Sequence, residues 1–257
     1  MPLVSSTTPP ALAAAKNAPL LLTVGSSLPT VSKAELRRVL PAGGKVYILG
    51  GTGAVPASVA TQLSGLGYQV VRYGGGDRFA TAAQVADALG DPGTVLLATG
   101  TNFPDALSAG AAAAKTGGVV LLTNGTSLPS RTSSYLAGHG KTVYAIGGPA
   151  AAADKKATAL VGVDRYATSV AVAAKFFSSP SSVGVASGAA FPDALSGGAL
   201  LAHEGAPLVL SAPDSLPSGV ATYLSSVRSS VSSAHLFGGV GALGVVVQTT
   251  VGSALGR

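Results

Sequence analysis

The amino-acid sequence predicts an α/β fold built from tandem copies of one small unit with a mostly parallel sheet. Two motifs recur at nearly the same offset. Asp-Arg-aromatic-Ala-Thr begins at Asp77 and, 87 residues later, at Asp164, and Phe-Pro-Asp-Ala-Leu-Ser begins at Phe103 and, 88 residues later, at Phe191. The apolar runs between the motifs are continuous rather than alternating, which is typical of strands that helices cover on both faces. Helical segments separate these runs, and this alternation indicates parallel βαβ units.

The last copy shows the predicted order of elements within a unit. Asp164 is suited to cap a helix over residues 165–177, and Pro192 lies where a helix over residues 192–203 begins. The other predicted elements are, in chain order, a strand over 182–187, a strand over 207–211, a helix over 217–227 and a strand over 234–237. A unit of roughly 85 to 90 residues is of normal domain size.

The first copy lacks the front part of the unit. It contains the Ser-Leu-Pro turn at Ser27, which recurs at Ser127 and Ser215, but neither the Asp-Arg-aromatic motif nor the Phe-Pro-Asp motif. We therefore expect an incomplete first repeat over residues 1–73, a second repeat over 74–161 and a third over 162–257.

Composition excludes several classes of protein. The chain has 47% hydrophobic and 10% charged residues, so it is expected to fold. Its net charge of +6 includes no Lys/Arg run and its aromatic residues are few, so nucleic-acid binding is not expected. The absence of cysteine removes disulfides, thiolate metal sites and a cysteine nucleophile. No apolar run reaches the roughly 18 residues of a membrane span. Residues 1–6 carry no basic signal region, so any export signal is expected upstream of residue 1.

The two motifs, followed by an apolar triplet and a strand that ends in Gly-Gly, resemble the cell-wall-binding repeat type 2 family of clostridial and actinobacterial surface proteins. The resemblance covers the chain from about Asn17 onward. It implies three tandem repeats, each a Toprim-like three-layer unit, arranged around a pseudo-threefold axis. It also implies an extracellular location at the cell wall or cell surface, where such repeats anchor proteins non-covalently to an anionic wall polymer. The family's apolar triplets are Leu20-Leu21-Leu22, Val120-Leu121-Leu122 and Leu208-Val209-Leu210.

Two Asp-Arg pairs are the first candidates for polymer binding. The guanidinium groups of Arg78 and Arg165 could hold phosphate or carboxylate groups of a polymer. In the alternative, Asp77 and Asp164 cap helices while each arginine clamps a neighbouring loop. The structural alternative is favoured, because capping aspartates are common and need no ligand.

Asp105 and Asp193 are the second pair of candidates. Each follows a proline in the first turn of a predicted helix, where the helix dipole stabilises a carboxylate. A metal-binding role would need a second carboxylate at useful spacing, and the sequence has none. A catalytic centre of the Toprim type would also need an Asp-x-Asp motif, which does not occur. No metal or other cofactor is therefore expected.

Other motifs are weaker. Residues 138–142 resemble the end of a phosphate-binding loop, but Tyr135 replaces the required glycine. Residues 239–244 satisfy G-x-G-x-x-G, yet the pattern is lost in the other copies, and a tight turn explains it better. The three histidines are far apart, and His203-Glu204 is interpreted as a solvated helix end. A Ser–His–Asp triad assembled by the fold stays open.

The sequence thus predicts a non-catalytic module that anchors a surface or secreted protein to an anionic wall polymer. The first alternative is an enzyme of wall metabolism, of the amidase type, or its accessory subunit. The second is a nucleotide-binding α/β protein, which rests only on the unrepeated glycine motif. The polymer, the fused effector and the oligomeric state stay open.

Overall fold

We describe the fold from a computed structural model, in which residues 9–139 and 142–257 are described. The N-terminal residues 1–6, considered above for a signal region, lie outside them, as do Gly140 and Lys141 of the loop-like motif. The first repeat comprises α1 (Pro9–Ala15), α2 (Thr30–Val39), β1 (Lys45–Leu49), α3 (Ala57–Gly65) and β2 (Gln69–Tyr73). The second comprises α4 (Arg78–Leu89), β3 (Thr94–Thr99), α5 (Pro104–Lys115), β4 (Val119–Thr123), α6 (Ser130–Gly138), β5 (Thr142–Ile146), α7 (Gly148–Ala153) and β6 (Thr158–Leu160). The third comprises α8 (Arg165–Phe176), β7 (Ser182–Ser187), α9 (Pro192–Glu204), β8 (Leu208–Ser211), α10 (Ser218–Val227), β9 (Ser233–Phe237) and α11 (Val245–Ala254).

Three parallel sheets confirm the predicted α/β class. The strand orders are β1-β2, β4-β3-β5-β6 and β8-β7-β9, and every paired strand in them is parallel. β6 belongs to the sheet of the second repeat and leads into α8, so the sheets of the first two repeats each lie beside the Asp-Arg helix that follows them along the chain.

The two full repeats have the same strand register. Leu96 pairs with Val120 in the second repeat, and 88 residues later Gly184 pairs with Leu208 in the third. Both Phe-Pro-Asp segments begin equivalent helices, α5 and α9, with the proline in the first turn. The central strands β3 and β7 are almost entirely buried, which explains their continuous apolar sequence.

One helix from each repeat packs at the middle of the molecule. Helices α1, α5 and α9 all contact one another. A small residue allows this approach at α5, because a Cβ on Gly110 would lie 2.8 Å from Pro10 Cγ. The alanine- and glycine-rich composition is therefore suited to close helix packing.

The described residues contain no helix that is long and apolar enough to cross a membrane.

Candidate functional site

The two candidate aspartates of the Asp-Arg pairs are helix caps. Asp77 Oδ1 accepts a hydrogen bond from the Ala80 amide at 2.7 Å, and Asp164 Oδ1 accepts one from the Ala167 amide at 2.8 Å. Each bond satisfies an amide that the first turn of a helix leaves free. These contacts agree with the interpretation of Asp77 and Asp164 as helix caps, although both aspartates remain exposed.

The two arginines bind the loops after the central strands. Arg165 Nη1 donates to the Gly188 carbonyl at 2.6 Å, and Arg78 Nη1 donates to the Gly100 carbonyl. Glycine suits both loops, because a Cβ on Gly100 would lie 2.8 Å from Phe79 Cε1 and would force the ring to shift, and the third repeat has the same crowding. Each Asp-Arg-aromatic motif therefore ties the start of its helix to the carboxyl end of its own central strand.

Asp105 lies where the second repeat meets the third. Its carboxylate is against the backbone of Gly147, at the end of β5, so that a Cβ on Gly147 would overlap Asp105 Oδ2. Burial raises the pKa of Asp105, and the positive charge of Arg165 opposes this rise. Arg165 is therefore close enough to influence a carboxylate in the preceding repeat.

Asp193 has the equivalent position in the third repeat. A Cβ on Gly238, directly after β9, would lie 2.7 Å from Asp193 Oδ2. The helix that follows, α11, contains no arginine, unlike α8, which follows β6. The two carboxylates thus share a backbone setting but differ in the charge beside them.

The two Phe-Pro-Asp motifs meet at the junction between the full repeats. The rings of Phe103 and Phe191 lie 5.8 Å apart between centroids, at 58°. This contact brings the N-terminal ends of α5 and α9 together at the carboxyl ends of the strands. We call the surface formed by Phe103, Asp105, Arg165 and Phe191 the junction site.

A carboxylate–histidine pair lies outside the junction site and was missed in the sequence. Glu204 Oε2 accepts hydrogen bonds from Ser182 Oγ at 2.6 Å and from His235 Nε2 at 3.1 Å. His203 and Glu204 are the last two residues of α9 and are exposed, as expected for a solvated helix end, and the Glu204 carboxylate is in addition paired with two side chains. Comparison of the repeats could not reveal this trio, because its three residues are not repeated. The equivalent positions in the second repeat are Thr94, Thr116 and Tyr144.

This trio does not have the arrangement of a catalytic triad. Serine and histidine both bind the same oxygen of Glu204, whereas in a triad the histidine links the nucleophile to the carboxylate. In the described part of the chain, no group of three His, Asp or Glu side chains could hold a metal ion.

The sequence matches the cell wall binding domain 2 family (CWB2) over residues 7–60, 72–156 and 159–248. It is 31% identical to the N-acetylmuramoyl-L-alanine amidase LytC of Bacillus subtilis over 215 residues, which cover 81% of this chain and 43% of the amidase. The fold resembles that of Cwp8 from Clostridium difficile with a TM-score of 0.87 and 27% identity, over 98% of this chain and 45% of Cwp8. Cwp6 from the same organism gives a TM-score of 0.87 and 26% identity, over 97% of this chain and 41% of Cwp6.

The chain therefore spans less than half the length of each of these three proteins. The three matched segments follow one another along most of the sequence and confirm the resemblance carried by the repeated motifs. The chain belongs to the cell wall binding domain 2 family.

Proposed function

We propose that this chain is a non-catalytic module that binds an anionic polymer of the bacterial cell wall and so holds a protein at the cell surface. The observation that carries the proposal is membership of the CWB2 family over three successive segments. Cwp8 and Cwp6 share its fold over nearly the whole chain. The location that follows is extracellular, at the cell wall or cell surface.

We place the binding surface at the junction site and at the neighbouring Asp-Arg motifs. Arg165 uses Nη1 for the Gly188 carbonyl, while a guanidinium carries five N–H donors in all, so it can clamp a loop and still bind an anion. Arg78 has the same arrangement at Gly100. Asp77, Asp105, Asp164 and Asp193 would contribute by orienting these groups and by accepting hydrogen bonds from sugar hydroxyls.

The three units that we assign, 1–73, 74–161 and 162–257, give the site its geometry. The second and third matched segments, 72–156 and 159–248, begin within a few residues of the assigned starts at 74 and 162, whereas the first matched segment ends at residue 60. Arg165 of the third unit lies near Asp105 of the second, so the site combines groups from two units.

The competing proposal is an amidase-type enzyme of wall metabolism. LytC, an amidase by name, favours it, but the chain covers only 43% of that protein. The one arrangement of serine, histidine and carboxylate described above does not fit catalysis, because Ser182 and His235 share Glu204 Oε2 as their partner. We therefore assign the chain to binding.

The deciding experiment is retention on purified Gram-positive walls, with and without their anionic polymer, at low and high salt. We expect binding that depends on the polymer and weakens as salt increases, because exposed charges are screened over about 8 Å at physiological ionic strength. Release of amines or reducing ends from the walls is measured in parallel. Release that a point mutation in the chain abolishes would support the enzyme, and equal retention on polymer-free walls would contradict the anchor.

A further inference from the structure

The charged residues of the chain are divided between two opposite faces of the molecule. In each repeat the paired strands are parallel, and the helices between them run back from the carboxyl end of one strand to the amino end of the next. Helices therefore begin at the face that holds the junction site, which we call the carboxyl-end face. They end at the opposite face, which we call the amino-end face.

The amino-end faces of the three repeats lie on the same side of the molecule. Helices α5 and α9 meet at both ends, because the rings of Phe103 and Phe191 are 5.8 Å apart where the helices begin, and Lys115 Nζ would lie 3.6 Å from a Cβ on Gly205 where they end. Pro10 of α1 lies against both helices, at the position equivalent to the glycines that it contacts in them. The three central helices therefore end together, beside the amino ends of the strands.

Positive and negative charges cancel at the carboxyl-end face. Five aspartates follow strands or begin helices there, namely Asp77, Asp105, Asp164, Asp193 and Asp214. Five basic residues lie at the same ends of their elements, namely Lys33, Arg72, Arg78, Arg131 and Arg165. Among the described residues, the face that holds the junction site thus has no net charge.

The amino-end face is rich in basic residues. Those that the structure describes lie at helix ends, at strand starts or in the turns between them, and all of them are exposed. The first repeat contributes Lys16, Arg37, Arg38 and Lys45. The second contributes Lys115, Lys155 and Lys156, and the third contributes Lys175, Arg228 and Arg257.

Acidic residues offset only half of these ten positive charges. The five on this face are Glu35, Asp87, Asp91, Asp154 and Glu204. Glu35 is engaged with Arg38 through two hydrogen bonds of 2.7 Å, and Glu204 is paired with His235. Within residues 9–139 and 142–257, Arg38 is the only one of the ten basic residues that forms an ion pair with a carboxylate. The other basic side chains are therefore available to an anionic partner.

The helix dipole explains only part of this division. It favours basic side chains at the C-terminal ends of helices and acidic side chains at the N-terminal ends. If the dipole were the only cause, the carboxyl-end face would be about as negative as the amino-end face is positive. Its basic residues cancel its aspartates, however, so the positive excess of the amino-end face is a property of that surface.

The two faces act separately at physiological ionic strength. Helix α5 has 12 residues and is therefore about 18 Å long, which is more than twice the screening length of about 8 Å. A polyanion at the carboxyl-end face consequently meets little of the positive charge at the opposite face. The long-range attraction expected from a net charge of +6 therefore comes from the amino-end face.

We propose that the amino-end face is a second contact surface for the anionic wall polymer, distinct from the junction site. The inference rests on the proposed function and assigns most of the salt-dependent attraction to this face. A polymer with regularly spaced negative charges can contact side chains that are spread over three repeats, as these are. Binding displaces the counterions held along the polymer, so the affinity should decrease as salt increases.

The first test compares two double variants that have the same net charge. Lys155→Gln with Arg228→Gln removes two positive charges from the amino-end face. Lys33→Gln with Arg131→Gln removes two from the carboxyl-end face and leaves the junction site unaltered. The probe is the anionic polymer released from purified Gram-positive walls, labelled for fluorescence anisotropy and titrated with the full chain at several salt concentrations.

We expect the two double variants to differ in affinity. The amino-end variant should bind at least about threefold more weakly at low salt, because it loses two exposed ionic contacts. Its plot of log Kd against log salt should be less steep by about one to two, since fewer counterions are displaced. The carboxyl-end variant should stay close to the unaltered chain in both respects.

A second pair of variants changes the charge in the other direction. Asp87→Asn increases the positive excess of the amino-end face, and Asp214→Asn makes the same change at the carboxyl-end face, where both aspartates are exposed on their own faces. Asp87→Asn should bind the polymer more tightly than the unaltered chain, and Asp214→Asn should not. Thermal unfolding checks that each variant is folded, and Lys45→Gln with Lys156→Gln replaces the first amino-end variant if that one is not.

The outcomes separate this inference from the proposed function. If the unaltered chain does not bind the polymer, both are wrong. If it binds, but the two double variants lose affinity equally or not at all, only the inference is wrong, because the face that carries the charge does not matter. Vesicles of phosphatidylglycerol test a membrane contact. Weaker vesicle binding by the amino-end variant, together with unchanged polymer binding, would overturn the inference and make this face a membrane surface.

Discussion

Arg165 of the third repeat lies close enough to Asp105 of the second to oppose the rise in pKa that burial imposes on that carboxylate. The relationship crosses the junction between two copies of one sequence unit. It exists because the Asp-Arg helix of one repeat follows the last strand of the sheet before it. The junction site consequently needs two successive repeats, because neither repeat alone contains all of its residues.

The first prediction concerns the pH dependence of stability. Burial raises the pKa of Asp105 above its usual value of 3.8, so the folded state binds the proton more tightly than the unfolded state. Ionisation of Asp105 therefore costs stability as the pH rises from about 3.8 through the folded-state pKa, and this cost is absent below that window. Asp105→Asn should remove the cost. The measured quantity is the melting temperature of Asp105→Asn minus that of the unaltered chain. This difference should increase from pH 3.5 to pH 7, roughly the range over which Asp105 ionises.

Asp91→Asn is the matched control, because Asp91 is exposed and lies away from the junction. Its difference from the unaltered chain is the baseline against which the change for Asp105→Asn is measured. A difference for Asp105→Asn that does not rise above this baseline, or that decreases with pH, would show that burial of this carboxylate does not govern its titration.

The second prediction tests whether the arginines stabilise the fold by binding a loop carbonyl, bind the wall polymer, or do both. Arg165→Gln removes a charge-assisted hydrogen bond to the Gly188 carbonyl, and its loss should lower the free energy of unfolding by about 1.5 kcal/mol. If Arg165 also holds the polymer, retention on walls at low salt should decrease when measured well below the melting temperature. Arg131→Gln removes an exposed charge of α6 and serves as the control for net charge. A normal melting temperature together with normal retention would contradict both roles.

The third prediction concerns the two helix caps. Asp77→Ala and Asp164→Ala should each cost about 1 kcal/mol in the free energy of unfolding, since each leaves one first-turn amide without its acceptor. Replacement by asparagine should cost much less, because its amide oxygen accepts the same bond. Urea denaturation of the four variants measures this. Equal losses for alanine and asparagine would mean that charge, rather than capping, explains the aspartates.

Much of the fold could be predicted from the sequence, because the repeat supplies each local signal twice. The capping role of Asp164 and the start of α9 at Pro192 follow from side-chain chemistry within a few residues. The pairing of Glu204 with His235 could not be predicted, because it joins residues 31 apart and has no counterpart in the second repeat.

The last prediction compares two adjacent glycines of α9 that face different neighbours. A Cβ on Gly197 would overlap the ring of Phe237, whereas one on Gly198 would make an ordinary contact, 3.4 Å from Pro10 Cγ. Alanine is favoured over glycine inside a helix by about 1 kcal/mol, and this gain is the same at both positions. Gly198→Ala should therefore leave the free energy of unfolding unchanged or raise it slightly. Gly197→Ala should lower it, because overpacking a core costs about 1 to 3 kcal/mol and exceeds the gain in helix propensity.

The two variants control for each other, since they change the same residue type in the same turn of the same helix. Phe237→Leu combined with Gly197→Ala provides a further check, because a smaller side chain leaves space for the new methyl group. The double variant should recover part of the stability that Gly197→Ala loses, relative to Phe237→Leu alone. Equal stability of the two alanine variants in urea denaturation would show that the ring of Phe237 shifts freely, and that close approach between α9 and β9 does not require glycine.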